Sequence, residues 1–487
     1  MRVVLLNPPV PAGRLTNRDL MGGMGIDDGF GVGFGPRFVA LLKNEGTRMP
    51  VLALASAKAL LSGHDVVVLD QLRRSPDDPA ALDEVVREKP DWIVAATSFG
   101  FLGAELKFLA RAHEATGAKR LLVGYSATHF AQDILGRGLA EAIAKGDAEV
   151  AVRAVVDNRL APATPGLLVK GDDGRMAPAP DGFVEELDSL PFPDWSGFPV
   201  ADYRYFPLLK KQPFVLLQSS RGCPYACHFC PYPIAQGLAF RARSPKSVVD
   251  EMQADVDRHG ARSILFRDPT FSMDVARTKE IAKEIVRRGL QVEWGIETRL
   301  DRLDDELVDL LAKAGCRSLE FGVDPIEAPT RLLSKRKGID PARAAQLIAR
   351  MEGQGIAGAG LFVIGIPGMD RAEMERTIDW IDTLAMSYVN YEIATPFPGT
   401  PLYEQAVRAG WTKPITFDAL LEGDPKLSFN GAIDVDEMKR LQDRALARFY
   451  LRPGKIAREV LRDGLFGNLE FFARSGLKFL ASELSST

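Results

Sequence analysis

The chain has 487 residues, enough for about three domains of ordinary size and for cores that need no disulfide staples. Lys and Arg number 61 against 65 Asp and Glu, a net charge of −4, so no overall positive field is available to hold a nucleic acid and such a partner is disfavoured. With 46% hydrophobic and 26% charged residues the composition is that of a globular chain, neither disordered nor fibrous.

The opening MRVVLLNPPV has an apolar run of only four residues, too short for a signal core or a membrane span, and predicts a cytoplasmic protein. Val3–Leu6, Val66–Leu69, Trp92–Ala95 and Leu121–Val123 read as buried parallel strands. Amphipathic stretches at 51–61 and 104–115 alternate with them, which predicts a doubly wound α/β domain over residues 1–160. Between the first strand and first helix, seven glycines fall from Gly22 to Gly35 without forming G-x-G-x-x-G. That composition suits a long loop covering a ligand rather than a dinucleotide fingerprint.

Residues 161–210 are Pro-rich and read as a surface connector. From 211 to 410, six apolar runs beginning at Phe214, Ile264, Val292, Ser318, Leu361 and Tyr391 each precede a helical pattern, as in a partial (β/α)6 barrel. Functional residues of such a barrel belong at the carboxyl ends of its strands. Residues 411–487 are helical in pattern. The apolar Phe466, Leu469, Phe472 and Leu480 predict docking onto the barrel, with a membrane surface as the alternative; the closing segment has only Arg474 and Lys478 as basic residues, few for a membrane-surface helix.

Three of the four cysteines, Cys223, Cys227 and Cys230, fall within eight residues in the order C-x3-C-x2-C, directly after the strand-like FVLLQSS. Three thiolates on one loop can ligate three corners of a 4Fe–4S cubane and leave the fourth iron open; a cluster that only carries electrons would want a fourth cysteine. The alternative is a zinc site completed by His228 or Cys316, although the second C-x2-C knuckle that structural zinc prefers is missing. Cys316, following Ala314-Gly315 before a strand, reads as a buried structural thiol.

The loop Arg221-Gly-Cys223-Pro-Tyr-Ala-Cys227-His-Phe-Cys230-Pro-Tyr232 resembles the cluster motif of the radical S-adenosylmethionine enzymes. In that family S-adenosylmethionine chelates the open iron and is cleaved to a 5′-deoxyadenosyl radical. The resemblance implies that Phe229 lies against adenine, and it extends cofactor contact to Tyr232. Phe266-Arg267-Asp268-Pro269-Thr270-Phe271 resembles the family's second-strand segment, which implies that Asp268 meets the methionine end; Pro269 stands where relatives carry a second acid. Thr298-Arg299 and Leu319-Glu320-Phe321-Gly322-Val323-Asp324 resemble the third and fourth strand ends, implying contacts by Arg299, Glu320 and Asp324. Gly365-Ile366-Pro367-Gly368 resembles the fifth-strand turn whose backbone meets adenine, and residues 395–401 the sixth-strand turn.

The amino-terminal domain resembles the cobalamin-binding domain that precedes the barrel in one large radical subgroup. Asn7-Pro8-Pro9, Ser98-Phe99, Gly124-Tyr125-Ser126 and Gly146-Asp147-Ala148-Glu149 fall in the order of its segments, the last two in degenerate form. The runs at 187–195 and 449–453 resemble its connector and carboxyl-terminal region. No D-x-H-x-x-G string surrounds any of the five histidines, so bound cobalamin is expected to lack a histidine below its cobalt. Together these resemblances imply a cobalamin-dependent radical methyltransferase acting on an unactivated carbon or a phosphinate phosphorus of a small molecule. An external flavodoxin- or ferredoxin-type donor would supply electrons. Oxidative cyclisation or rearrangement with the same cofactors is the alternative.

Overall fold

The computed structural model describes residues 1–11, 16, 18, 46–171, 173–323, 338–422 and 434–454. The Gly22–Gly35 loop, Asp324 and the tail from residue 455 lie outside them.

The first sheet is built from β1 (Arg2–Asn7), β2 (Asp65–Asp70), β3 (Trp92–Ala96), β4 (Lys119–Val123), β5 (Ala142–Ala144) and β6 (Leu167–Val169), in the order β2-β1-β3-β4-β5-β6. The first five run parallel and β6 is antiparallel to β5. Helices cover both faces, so the central strands are apolar along their whole length; Ile93, Leu121 and Leu122 have no exposed surface. The segment read as connector from residue 161 thus contributes a strand, because Leu167-Leu168-Val169 buries on the edge that β5 leaves open.

The second sheet contains β7 (Phe214–Leu217), β8 (Ser263–Phe266), β9 (Glu293–Arg299), β10 (Cys316–Val323), β11 (Ala357–Ile364) and β12 (Tyr388–Ile393). They pair in sequence order, all parallel, with β7 and β12 as its two edges: the open arc of a partial barrel. The five helices that cross from one strand to the next begin on Ser244, Asp274, Asp304, Asp340 and Asp370. Each of these side chains accepts the backbone N–H three residues on, a cap that contributes about 1 kcal/mol to each helix. The caps fix where each helix starts and so hold the strand ends in register.

The two modules are closed on each other from the carboxyl-terminal side. Helix Phe417–Glu422 packs against helix Leu102–Thr116 so closely that a Cβ on Gly103 would stand 2.1 Å from the Leu420 carbonyl oxygen. Arg137 pairs with Asp418 at 2.6 Å, and the Phe130 and Phe417 rings lie 5.8 Å apart. Helix Val435–Tyr450 covers β12, where the Tyr450 hydroxyl donates to the Val389 carbonyl and accepts from its N–H. Among the described residues no helix is long and apolar enough to cross a membrane.

Candidate active site

The cysteine loop starts where β7 ends. Gly222 has φ +79°, and a Cβ there would lie 1.9 Å from the Ala239 carbonyl oxygen, so the turn admits only glycine. Ser220–Arg221 pairs antiparallel with Arg241–Ala242, and the Cys223 N–H donates to the Gly237 carbonyl at 3.1 Å. Further along, the Cys230 N–H donates to the Cys227 carbonyl at 3.0 Å, and the Leu402 N–H reaches the His228 carbonyl at 3.0 Å. The loop is thereby held at its root, its middle and its tip. Cys227 is buried and the other two thiols half-buried.

Among the described residues no three His, Cys, Asp or Glu side chains are gathered closely enough to hold one metal ion. His228 and Cys316 close no such group with the loop cysteines. Cys316 opens the eight-residue β10, whose far end is the one that faces the loop, roughly 23 Å away at the usual strand rise. It is fully buried, its thiol donates to the Ser318 carbonyl at 3.4 Å, and burial pushes its pKa up to about 12. The remaining donor set, three thiols on one loop, suits a cubane with one open iron. Cys316→Ala is accordingly expected to leave iron and sulfide per chain unchanged and to cost about 1 kcal/mol of stability, read by iron assay and thermal unfolding. Loss of a third or more of the iron would assign Cys316 to the cluster.

Asp268, at the carboxyl end of β8, has no exposed surface. Its carboxylate accepts the Ser219 N–H at 3.0 Å, the Ser219 hydroxyl at 2.8 Å and the Ser220 hydroxyl. Burial pushes its pKa up, while these bonds and Arg277 pull it back. The residue expected at the methionine end of a cofactor thus ties down the segment leading into the cysteines, because two hydroxyls and an amide surround it at the strand end. Tyr232 likewise donates to the Arg267 carbonyl at 2.8 Å. Arg299 stands 4.1 Å over the Tyr225 ring and pairs with Asp301, while the Arg302 Nε donates to the Tyr225 hydroxyl at 2.6 Å. Tyr225 lies between Cys223 and Cys227, so Arg299 braces the loop directly.

Glu320 accepts from the Tyr205 hydroxyl at 2.6 Å, and the Tyr205 ring stacks on Phe214. Register places Glu297 opposite Glu320, and Glu297 pairs with Arg267. Glu297 and Tyr205 were not singled out from sequence; Glu297, two residues before Arg299 on the same strand face, was the available signal. Phe229 and Ile366 meet in one apolar cluster with Ala394 and Leu402, and Pro367 is buried beside them.

In the first module the predicted residues divide into two groups. Buried Arg18 donates to the Asn7 side chain at 2.7 Å and the Pro8 carbonyl at 2.9 Å, and pairs with buried Glu105. Glu105 accepts the Ser98 N–H at 2.8 Å and the Ser98 hydroxyl. Asn7, Pro8 and Ser98 are therefore knit together by an ion pair that sequence reading missed, with Pro9 buried alongside. The Phe99 ring meets Phe397 edge-on at 6.0 Å. The second group surrounds a cleft of about 200 Å³ beyond the ends of β4 and β5, lined by Gly124, Tyr125, Gly146, Ala148 and Ala53, among others. Ser126 is buried within 3.3 Å of the Thr97 hydroxyl. Two of the predicted residues also reach across the module boundary: the Tyr125 hydroxyl donates to the Pro398 carbonyl, and Glu149 pairs with Arg221 at 2.7 Å.

Residues 217–381 match the Radical SAM superfamily. The uncharacterized methyltransferase PH0819 of Pyrococcus horikoshii is 25% identical over 440 residues, 87% of this chain and 93% of that protein. The radical S-adenosylmethionine methyltransferase TsrM from Kitasatospora setae, solved with cobalamin and a 4Fe–4S cluster bound, aligns with a TM-score of 0.63 at 19% identity, covering 85% of this chain and 76% of its own. OxsB, a cobalamin-dependent S-adenosylmethionine radical enzyme solved with aqua-cobalamin and S-adenosylmethionine, aligns with a TM-score of 0.66 at 14% identity, covering 91% and 66%. The family match falls within the second module, and the two modules together share the fold of these two solved structures.

Proposed function

We propose that the chain is a cobalamin-dependent radical S-adenosylmethionine methyltransferase of the cytoplasm, acting on a carbon or phosphinate phosphorus of a small molecule. The observation that carries this reading is the seating of a three-cysteine loop, with no fourth cysteine in reach, against the cleft-bearing edge of a doubly wound sheet. When bound, the cluster supplies the electron that cleaves S-adenosylmethionine and the corrinoid supplies the methyl group.

The chain's own residues bind, orient and enclose. Cys223, Cys227 and Cys230 hold the cluster. The apolar wall of Phe229, Ile366 and Ala394 suits the adenine face, and Glu297, Glu320 and Arg299 give the barrel interior its polar contacts. The small residues Gly124, Gly146, Ala148 and Ala53 leave room for part of a corrinoid beyond β4 and β5. The Tyr205 hydroxyl, donating to Glu320 at 2.6 Å, fixes the orientation of that carboxylate. A flavodoxin- or ferredoxin-type donor delivers the electron from outside.

The test uses anaerobically reconstituted protein, reductant, hydroxocobalamin, methyl-labelled S-adenosylmethionine and a small-molecule cell extract. Label should enter a new product with S-adenosylhomocysteine as co-product. Release of 5′-deoxyadenosine and methionine alone, with a product that carries no label, would replace methyl transfer by cyclisation or rearrangement.

A further inference from the structure

Alternate residues of one turn face two different tasks. Gly146 and Ala148 line the cleft beyond β5, whereas Asp147 and Glu149 turn to the second module and grip the residue that precedes the Gly222 turn. Arg221 donates through Nη2 to Glu149 at 2.7 Å and through Nη1 to its other oxygen at 3.3 Å, and Nη1 stands 3.2 Å from Asp147. Arg241, on the strand paired with Arg221, bonds the second Asp147 oxygen at 2.6 Å. All four side chains are buried, with exposures of 6%, 1%, 3% and 5% for Arg221, Asp147, Glu149 and Arg241. Two guanidinium groups and two carboxylates balance, so the network is neutral as a whole.

We infer that these four residues form a charge lock that fixes the cysteine loop relative to the corrinoid cleft, and that Arg221 is a positioning residue for transfer between the two half-sites. The inference rests on the two-cofactor reading above. Apolar side chains of similar volume would glue the interface as well, since buried ion pairs return little net stability. What the forked, two-point geometry adds is a single permitted orientation. Local structure is given up for it: Asp147 occupies the cap position of helix Ala148–Val156, yet its side chain makes no cap bond and serves Arg241 and the Val184 N–H instead. Cys223 follows Arg221 by two residues through the rigid Gly222, so a shift of the guanidinium is passed to the first cluster ligand.

Glu149→Gln, Arg221→Lys and Arg221→Gln test this in the full chain. With the cluster reduced and cob(II)alamin bound, pulsed dipolar spectroscopy between the two paramagnetic centres should give one narrow distance in the wild type. Glu149→Gln and Arg221→Gln should broaden it or shift it by about 1 Å or more, with methyl transfer down about 100-fold at unchanged iron and corrinoid loading, and Arg221→Lys should fall between. An unchanged distance in fully loaded Glu149→Gln protein overturns the lock. Should a variant fail to load, hydrogen exchange on the metal-free full chain decides: either substitution must loosen both 144–150 and 219–230, and loosening confined to the substituted segment overturns it. A wild type that takes up no corrinoid sinks the two-cofactor reading, while the exchange result still judges the lock.

Discussion

A Cys227→Ala protein should fold as the wild type does and yet form no 5′-deoxyadenosine, a loss of at least about a thousandfold or some 4 kcal/mol of barrier. The two effects separate because Cys227 enters the loop's own scaffolding through its carbonyl, which accepts from Cys230 N–H at 3.0 Å, and alanine keeps that bond. What alanine removes is one of three thiolates around a cluster that has no substitute: Cys316 is a strand away, held as a neutral thiol by burial. Iron and sulfide content, circular dichroism and product analysis on anaerobic protein check this together. An iron-replete, active Cys227→Ala chain would end the cluster assignment.

The second large effect comes without touching a cysteine. Gly222→Ala places a methyl group 1.9 Å from the Ala239 carbonyl in a backbone with φ +79°, so both conformation and space refuse it. Strain at the left-handed position and displacement of a backbone carbonyl together cost about 3 kcal/mol or more, concentrated in the loop. Iron per chain should fall to a small fraction of the wild-type value and activity with it. Gly260→Ala is the control: its φ is +64°, but nothing lies within 4 Å of the added Cβ. There the cost should be about 1 kcal/mol with full iron. Equal iron in the two variants would show that the turn at Gly222 does not shape the cluster loop.

Most of the architecture was legible because it is written in contiguous apolar runs. Strands β1, β3, β4 and β7 to β12 each carry a core of buried Val, Ile, Leu or Phe, the edge strand β2 carries a half-buried Val-Val-Val-Leu run, and chain order equals spatial order in the second sheet. β5 escaped notice since Ala-Ile-Ala is short and weakly β-forming, and β6 since it lies in Pro-rich text. The cysteine spacing could be read for a similar reason: the three thiols of one loop are neighbours in sequence. Roles that depend on distant partners could not. Arg18 meets Glu105 across 87 positions, Arg221 meets Glu149 across 72, and Tyr125 meets Pro398 across 273. Asp268 belongs with them, for the serines that its carboxylate holds, Ser219 and Ser220, sit 49 and 48 residues back.

The short helix Phe417–Glu422 belongs to the first module by contact although it is encoded some 300 residues later, beyond the last strand of the second. A gene truncated after the barrel would therefore strip a wall from a domain whose own coding region was left whole. For anyone exchanging modules between related enzymes, the amino-terminal sheet must travel with its distant clasp, and a chimera that inherits one without the other should be recovered in inclusion bodies.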